Sequence, residues 1–134
     1  IGGNMNHSDK ATALYTRVST YDVNKKHLDN QMQQLFHYLQ EHGIDGYLLY
    51  EDNGYIWQDW NRPGLTKLYK DMYGGKIDSL VVSSSSRITK DYNAYQLFLK
   101  DAALCSVTVI SLDEKDKDED IPLAFSLIGG ADDE

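Results

Sequence analysis

Four short apolar runs, separated by stretches with helical spacing, constrain this chain more than any other feature. The runs cover residues 11–15, 47–50, 77–82 and 107–110. Between the first two, Leu28, Met32, Leu35 and Leu39 recur at helical intervals, and Gly43 stops the pattern. Asp22 and Asn24 stand ahead of it as candidate N-caps. Between the second and third runs, Pro63 suits the first turn of a helix, where its missing N–H is harmless. Leu65, Leu68, Tyr69 and Met72 mark that helix's buried stripe, and Gly74-Gly75 ends it. A third helix is expected over residues 90–103, with Leu97 and Phe98 turned inward. Pro122 to Ile128 can begin a last one. Strands alternating with helices, and strands apolar along both faces, predict an α/β fold: an open, mostly parallel sheet of four to five strands with helices on both faces.

Such a sheet gathers its ligand sites at the carboxyl ends of its strands. Ser19, Asp52 and the segment from Ser83 to Arg87 all fall there. The first strand ends Tyr15-Thr16-Arg17-Val18-Ser19. In extended chain, residues two apart share a face, so Arg17 and Ser19 emerge together. A guanidinium beside a hydroxyl stabilises the alkoxide and also grips phosphate. Taken alone, Arg-x-Ser is also compatible with a strand-end serine that caps the next segment, and Arg17, Arg62 and Arg87 with surface ion pairs.

Composition narrows the class. A chain of 134 residues suits one domain with a real core. No run approaches the roughly 20 apolar residues of a membrane span, and no secretory signal is visible. The formal charge of −8, with acids concentrated from Asp113 to Asp120 and at Asp132-Asp133-Glu134, argues against DNA binding by this chain unaided. Cys105 lies in an apolar run and reads as a buried core thiol. His7, His27, His37 and His42 have no metal-ligand spacing, and no Gly-rich nucleotide motif occurs. Residues 1–10 lack periodicity and read as a disordered or tag-derived leader, with Met5 a candidate native start.

Three further segments complete a pattern: Leu28-Asp29-Asn30-Gln31, Asn61-Arg62-Pro63-Gly64-Leu65 and Ser86-Arg87-Ile88-Thr89-Lys90. With Tyr15-Thr16-Arg17-Val18-Ser19 ahead of them, in this order and at these intervals, the chain resembles the catalytic domain of the serine recombinases, the resolvase and invertase family that includes large serine integrases. The resemblance spans roughly residues 11–128. It implies a catalytic domain over residues 11–120, and over 121–134 the truncated start of an inter-domain dimerisation helix. It implies that Ser19 attacks a DNA phosphodiester to give a 5′-phosphoserine link, followed by strand exchange and religation without ATP or cofactor. Arg17, Arg62 and Arg87 match positions around the scissile phosphate. Lys90 stands where the family usually has arginine, sharing a face with Arg87 if that segment is helical. Ser86 stands where many members have aspartate, and its hydroxyl is a candidate to orient Arg87. Gln31 matches a glutamine that contacts the site from the first helix. Asp52 matches a carboxylate that either holds an arginine or caps the following loop.

The family's partners would be double-stranded DNA, gripped through a downstream DNA-binding region, and further copies of the chain in a dimer and a synaptic tetramer. The setting implied is the bacterial cytoplasm, at the nucleoid. The loop from Asn53 to Asn61 departs from the family pattern, carrying Tyr55, Trp57 and Trp60; intramolecular packing or a subunit interface is the expectation there. Two rivals stand beside this reading. One is a recombinase-like interaction module without cleavage, motivated by Ser86 and Lys90. The other is a receiver-type domain, for which Glu51-Asp52 is the only acidic pair at a strand end.

Overall fold

The computed structural model describes residues 10–113. The chain alternates strand and helix: β1 (Ala11–Val18), α1 (Lys26–Glu41), β2 (Leu48–Asn53), α2 (Pro63–Tyr73), β3 (Ile77–Val82), a 3-10 turn (Ser85–Arg87), α3 (Tyr92–Leu104) and β4 (Thr108–Ser111). The strands form one sheet in the order β2-β1-β3-β4, with every pairing parallel. This is the expected α/β architecture, with four strands among the described residues.

The strand period of two divides the core. Leu14 and Val81 face α1, where Leu35 and Leu39 meet them. Their neighbours Ala13, Tyr15, Leu80 and Val82 face the other way, onto Leu65, Leu68 and Met72 of α2 and Tyr95, Phe98 and Ala102 of α3. Helices therefore cover both faces. Because α1 follows β1 on one face and α3 follows β3 on the other, the chain diverges between these two adjacent strands. A crevice at their carboxyl ends is the consequence.

Helix ends follow local chemistry. Gly43, at φ +64°, ends α1, and the Ile44 amide donates back to the Leu39 carbonyl at 2.9 Å. At the other end the N-cap position is Lys25 in a left-handed conformation, not Asp22 or Asn24. Asp22 nevertheless does the capping work from three residues earlier. Its Oδ2 accepts from the His27 and Leu28 amides at 2.7 and 2.9 Å. Helix α3 starts at Tyr92 rather than Lys90, because the Asp91 carboxylate accepts from the Ala94 amide at 2.7 Å and sets the first turn.

Two expectations are corrected here. Leu97 points outward and is 62% exposed, because Tyr95, Phe98 and Ala102 form the buried stripe of α3. Cys105 is half-buried at the end of α3 rather than enclosed in the core. The expected leader before Lys10 and the expected last helix from Pro122 lie outside the described residues. No helix among the described residues is long and apolar enough to cross a membrane.

Candidate active site

Arg17 lies at the end of β1, directly opposite Asp52 of β2 in the sheet register. Its side chain is fully buried. The guanidinium joins three segments that are remote in sequence. Nη1 donates to Ser19 Oγ at 2.8 Å and to the Tyr55 carbonyl at 3.0 Å. Nε donates to the Arg87 carbonyl at 2.9 Å, and Nη2 to the Ser86 carbonyl at 2.9 Å. The shared face expected of residues 17 and 19 is thus realised as a direct contact. A permanent cation against the hydroxyl favours its deprotonated form over the neutral one.

Gln31 reaches this point from α1, as the helical stripe requires. Its amide brackets the Arg17 backbone: Oε1 accepts from the Arg17 amide at 3.2 Å and Nε2 donates to the Arg17 carbonyl at 2.9 Å. Arg87 Nη1 donates to the same carbonyl at 3.2 Å. The half-buried Arg87 is carried by the 3-10 turn that follows β3. The serines before it shape that turn. Ser84 Oγ accepts from the Ser86 amide at 3.1 Å and pairs with Ser86 Oγ at 2.6 Å. The hydroxyl of Ser86 is therefore directed to Ser84 and not to Arg87, contrary to its expected orienting role. Lys90 follows the turn, half-buried, ahead of α3; it does not share a continuous helix with Arg87.

Arg62 is also fully buried, which its charge would not suggest. Nη1 donates to the Trp57 and Asp59 carbonyls at 3.1 and 3.2 Å, and Nη2 to the Ile88 carbonyl at 2.9 Å. Nε donates to the Tyr15 hydroxyl at 3.1 Å and lies 4.0 Å from Asp52 Oδ2. The Trp60 ring covers the guanidinium at 5.6 Å. Part of the tryptophan loop therefore packs within the domain, on this arginine. Asp52 caps the start of α2 rather than the loop after β2: it accepts from the Gly64 and Leu65 amides at 2.7 and 2.9 Å. It stands near Arg62 but makes no hydrogen bond to it. Tyr15 donates to Asp52 Oδ2 at 2.7 Å. Burial pushes this phenol far above its usual range, so it acts as a neutral donor, although the nearby Arg62 charge pulls the other way.

Six of the seven candidate residues therefore meet at the carboxyl ends of β1, β2 and β3, and Lys90 lies just past them. A crevice of about 750 Å3 opens between the start of α1 and Ser83 and Arg87; Gln31 and Arg87 are the candidate residues that line it, and Ser19 does not. Tyr21, His27, Asn30 and Gln34 also line it. Sequence reasoning passed over these four. The available signal was a polar stripe at helical spacing, running beside the Leu28, Leu35 and Leu39 stripe.

Comparison with known proteins gives this arrangement a family. The model of the resolvase N-terminal domain matches residues 12–130, most of the chain. The chain belongs to the resolvase family. Among solved structures, the N-terminal catalytic domain of TP901-1 integrase is similar at a TM-score of 0.71 and 25% identity, over 91% of this chain and 93% of that one. The C-terminal catalytic domain of ISC1926 TnpA, described as an IS607-like serine recombinase, gives 0.68 at 20% identity, over 89% of this chain and 76% of that one. A resolvase-family site-specific recombinase from Streptococcus pneumoniae gives 0.64 at 19% identity, over 90% and 84%. At these last two identities the likeness is one of fold. No curated protein matches the chain. The resolvase fold accounts for the sheet order and both helical layers described above.

Proposed function

We propose that this domain cleaves and rejoins DNA in site-specific recombination, with Ser19 as the nucleophile. The observation that carries the reading is Ser19 Oγ held 2.8 Å from Arg17 Nη1 at the divergence of β1 and β3. In the proposed step, Oγ attacks phosphorus as the bond from phosphorus to the 3′-oxygen breaks. The serine proton leaves and the 3′-oxygen gains one, so the products are a 5′-phosphoserine and a free 3′-hydroxyl. One phosphoester replaces another, and religation is the reverse reaction.

On this reading the arginines divide by task. Arg17 positions Ser19 and supports its alkoxide. Arg87, the least enclosed of the three, is the group to contact the phosphate, where a bidentate fork offsets charge growing on the non-bridging oxygens. Arg62, with Asp52 and Tyr15, is a positioning residue: it ties the loop after β2 to the turn that carries Arg87. Gln31 fixes the backbone of β1 under Ser19. Lys90 adds a point charge next to the turn. DNA affinity comes from a further region of the protein, in keeping with the charge of −8 on this chain. Paired copies supply the two strands' nucleophiles.

One observation favours the rival reading, an interaction module that does not cleave. Arg17 and Arg62 direct most of their hydrogen bonds to backbone carbonyls, as structural arginines do. Substitution separates the two readings. On DNA carrying the element's own junction, Ser19→Ala is expected to abolish strand cleavage while leaving DNA binding intact. Unchanged recombination by Ser19→Ala would remove the serine from the chemistry.

A further inference from the structure

Between Asn53 and Pro63 the chain forms neither helix nor strand, and its path is set by arginine. The loop is first fastened to β1: the Gly54 and Tyr55 amides both donate to the Val18 carbonyl, at 2.9 and 3.1 Å. Its carbonyls then turn onto the two buried guanidiniums. Tyr55 accepts from Arg17 Nη1 at 3.0 Å. Ile56, Trp57 and Asp59 accept from Arg62 Nη1 at 3.4, 3.1 and 3.2 Å.

Dependence runs the other way as well. Arg17 Nη1 donates both to the Tyr55 carbonyl and to Ser19 Oγ, the latter at 2.8 Å. Its two hydrogens lie in the guanidinium plane, so holding one on Tyr55 aims the other at Ser19. Arg62 faces two rings, Tyr15 at 5.8 Å and Trp60 at 5.6 Å from its guanidinium carbon. Tyr15 is fully buried in β1, whereas Trp60 belongs to the loop and is 38% exposed. An indole with more than a third of its surface in water is not a core residue. Its ring instead covers a charge that is itself fully buried, and keeps water from the carbonyl bonds beneath.

We propose that Trp60 is a positioning residue for the cleavage step, acting through Arg62 and the loop carbonyls to hold Arg17 Nη1 on Ser19. The proposal rests on the reading of Ser19 as the nucleophile. The path is continuous. Trp60 covers Arg62, and Arg62 gathers the carbonyls of residues 56, 57 and 59. The Tyr55 carbonyl and the Ile56 amide share one peptide plane, so a shift of Ile56 tilts the acceptor that Arg17 uses. Arg62 also donates to the Ile88 carbonyl at 2.9 Å, so the same ring steadies the chain next to Arg87. A tryptophan that only packs acts through its apolar area, which leucine largely reproduces. One that acts through a guanidinium requires an aromatic face.

The test compares Trp60→Phe, Trp60→Leu and Trp60→Ala under conditions where urea unfolding shows each variant fully folded. In the 134-residue chain without DNA, nitrogen-15 NMR follows exchange of the Arg17 Nη hydrogens with water. Exchange is expected to quicken about tenfold or more in the Leu and Ala variants and to stay near wild type in the Phe variant. In the full-length protein, cleavage at saturating junction DNA is expected to slow by about tenfold or more in the same two variants, with DNA affinity unchanged. Trp60→Phe is expected to keep the wild-type rate. Leucine matching phenylalanine in both assays would make Trp60 a packing residue and overturn the proposal. So would wild-type behaviour in all three variants, or a loss confined to DNA affinity, which would make Trp60 a DNA contact. Failure of the Ser19 reading looks different. Recombination that survives Ser19→Ala, while Arg17 exchange still follows residue 60, would remove the nucleophile and retain the coupling between Trp60 and Arg17.

Discussion

At the scale of single residues, the site is organised by arginines that differ in burial more than in charge. Arg62 satisfies carbonyls of two loops and stands against Asp52, so its replacement leaves buried acceptors without donors. Arg62→Lys is expected to destabilise the fold by about 3 kcal/mol, since an ammonium cannot reproduce the planar fork, measured by urea unfolding. Arg87 is less enclosed and makes a weaker structural contribution. Arg87→Lys is expected to change stability by no more than about 1 kcal/mol while slowing cleavage by about 10²-fold or more. Equal losses of stability in the two variants would contradict this division. Strand-end positions pointed to Ser19, Asp52 and Arg87, whereas Arg62, Gln31 and Lys90 were named only through the family resemblance. The sequence did not indicate that Arg17 and Arg62 are buried. A guanidinium enters a core only when distant carbonyls converge on it, and that convergence is a property of the folded loops.

At the scale of elements, the joint between β2 and α2 sets where Arg62 stands. Asp52 caps the first turn of α2 from the neighbouring strand, which requires the helix to approach β2 closely. Gly64 makes the approach possible. A Cβ there would lie 2.7 Å from the Glu51 carbonyl oxygen and 3.0 Å from the Asp52 carboxylate. Backbone on one side leaves nothing to yield, so Gly64→Ala is expected to destabilise by about 1–3 kcal/mol and to reduce cleavage by moving Arg62. Thermal unfolding and a cleavage assay on the same preparation check both effects. Element positions were largely legible. Residues 77–82 are β3 as expected, and Pro63 opens α2. The misreadings have local causes. Apolar residues lie on several faces of α3, so spacing alone does not choose Leu97 or its neighbours as the inward stripe. The sequence places the start of α3 two residues early, because the Asp91 cap resembles any other polar position in a helix.

At the scale of the whole molecule, buried phenols give the domain a defined pH window. Burial raises Tyr15, Tyr50 and Tyr69 well above the ordinary phenol value near 10. For Tyr50 the hydrogen bond to Asp71, at 2.7 Å, adds to the shift; for Tyr69 the charge of Asp101 does. A group raised in the folded state contributes stability in full below its unfolded value and loses it as pH rises through the folded one. Asp71 is shifted the opposite way, lowered first by the Tyr50 hydrogen bond against its own burial. Its contribution is present above about pH 4 and is lost as pH falls. Stability should therefore be level from about pH 5 to 9 and decline on both sides. Tyr50→Phe should flatten part of both limbs, as read from urea unfolding across pH; an unaltered profile would contradict the assignment.

The alternating pattern foretold the parallel sheet, but its strand order is seen only in the structure. Parallel strands joined by helical crossovers bring every carboxyl end to one edge, and the divergence between β1 and β3 opens that edge. The polar crevice beside it was not legible in the same way, because its walls come from α1 and the turn after β3, and only the fold sets them facing each other.

The central claim is that Ser19 becomes covalently joined to DNA. The most direct measurement is to mix full-length protein with junction DNA, quench with denaturant, digest, and identify by mass spectrometry the peptide that carries nucleotide. A phosphodiester-linked nucleotide on Ser19, at a 5′ DNA end, is the result predicted. Bound and synapsed DNA with no adduct, or an adduct on another residue, would contradict it.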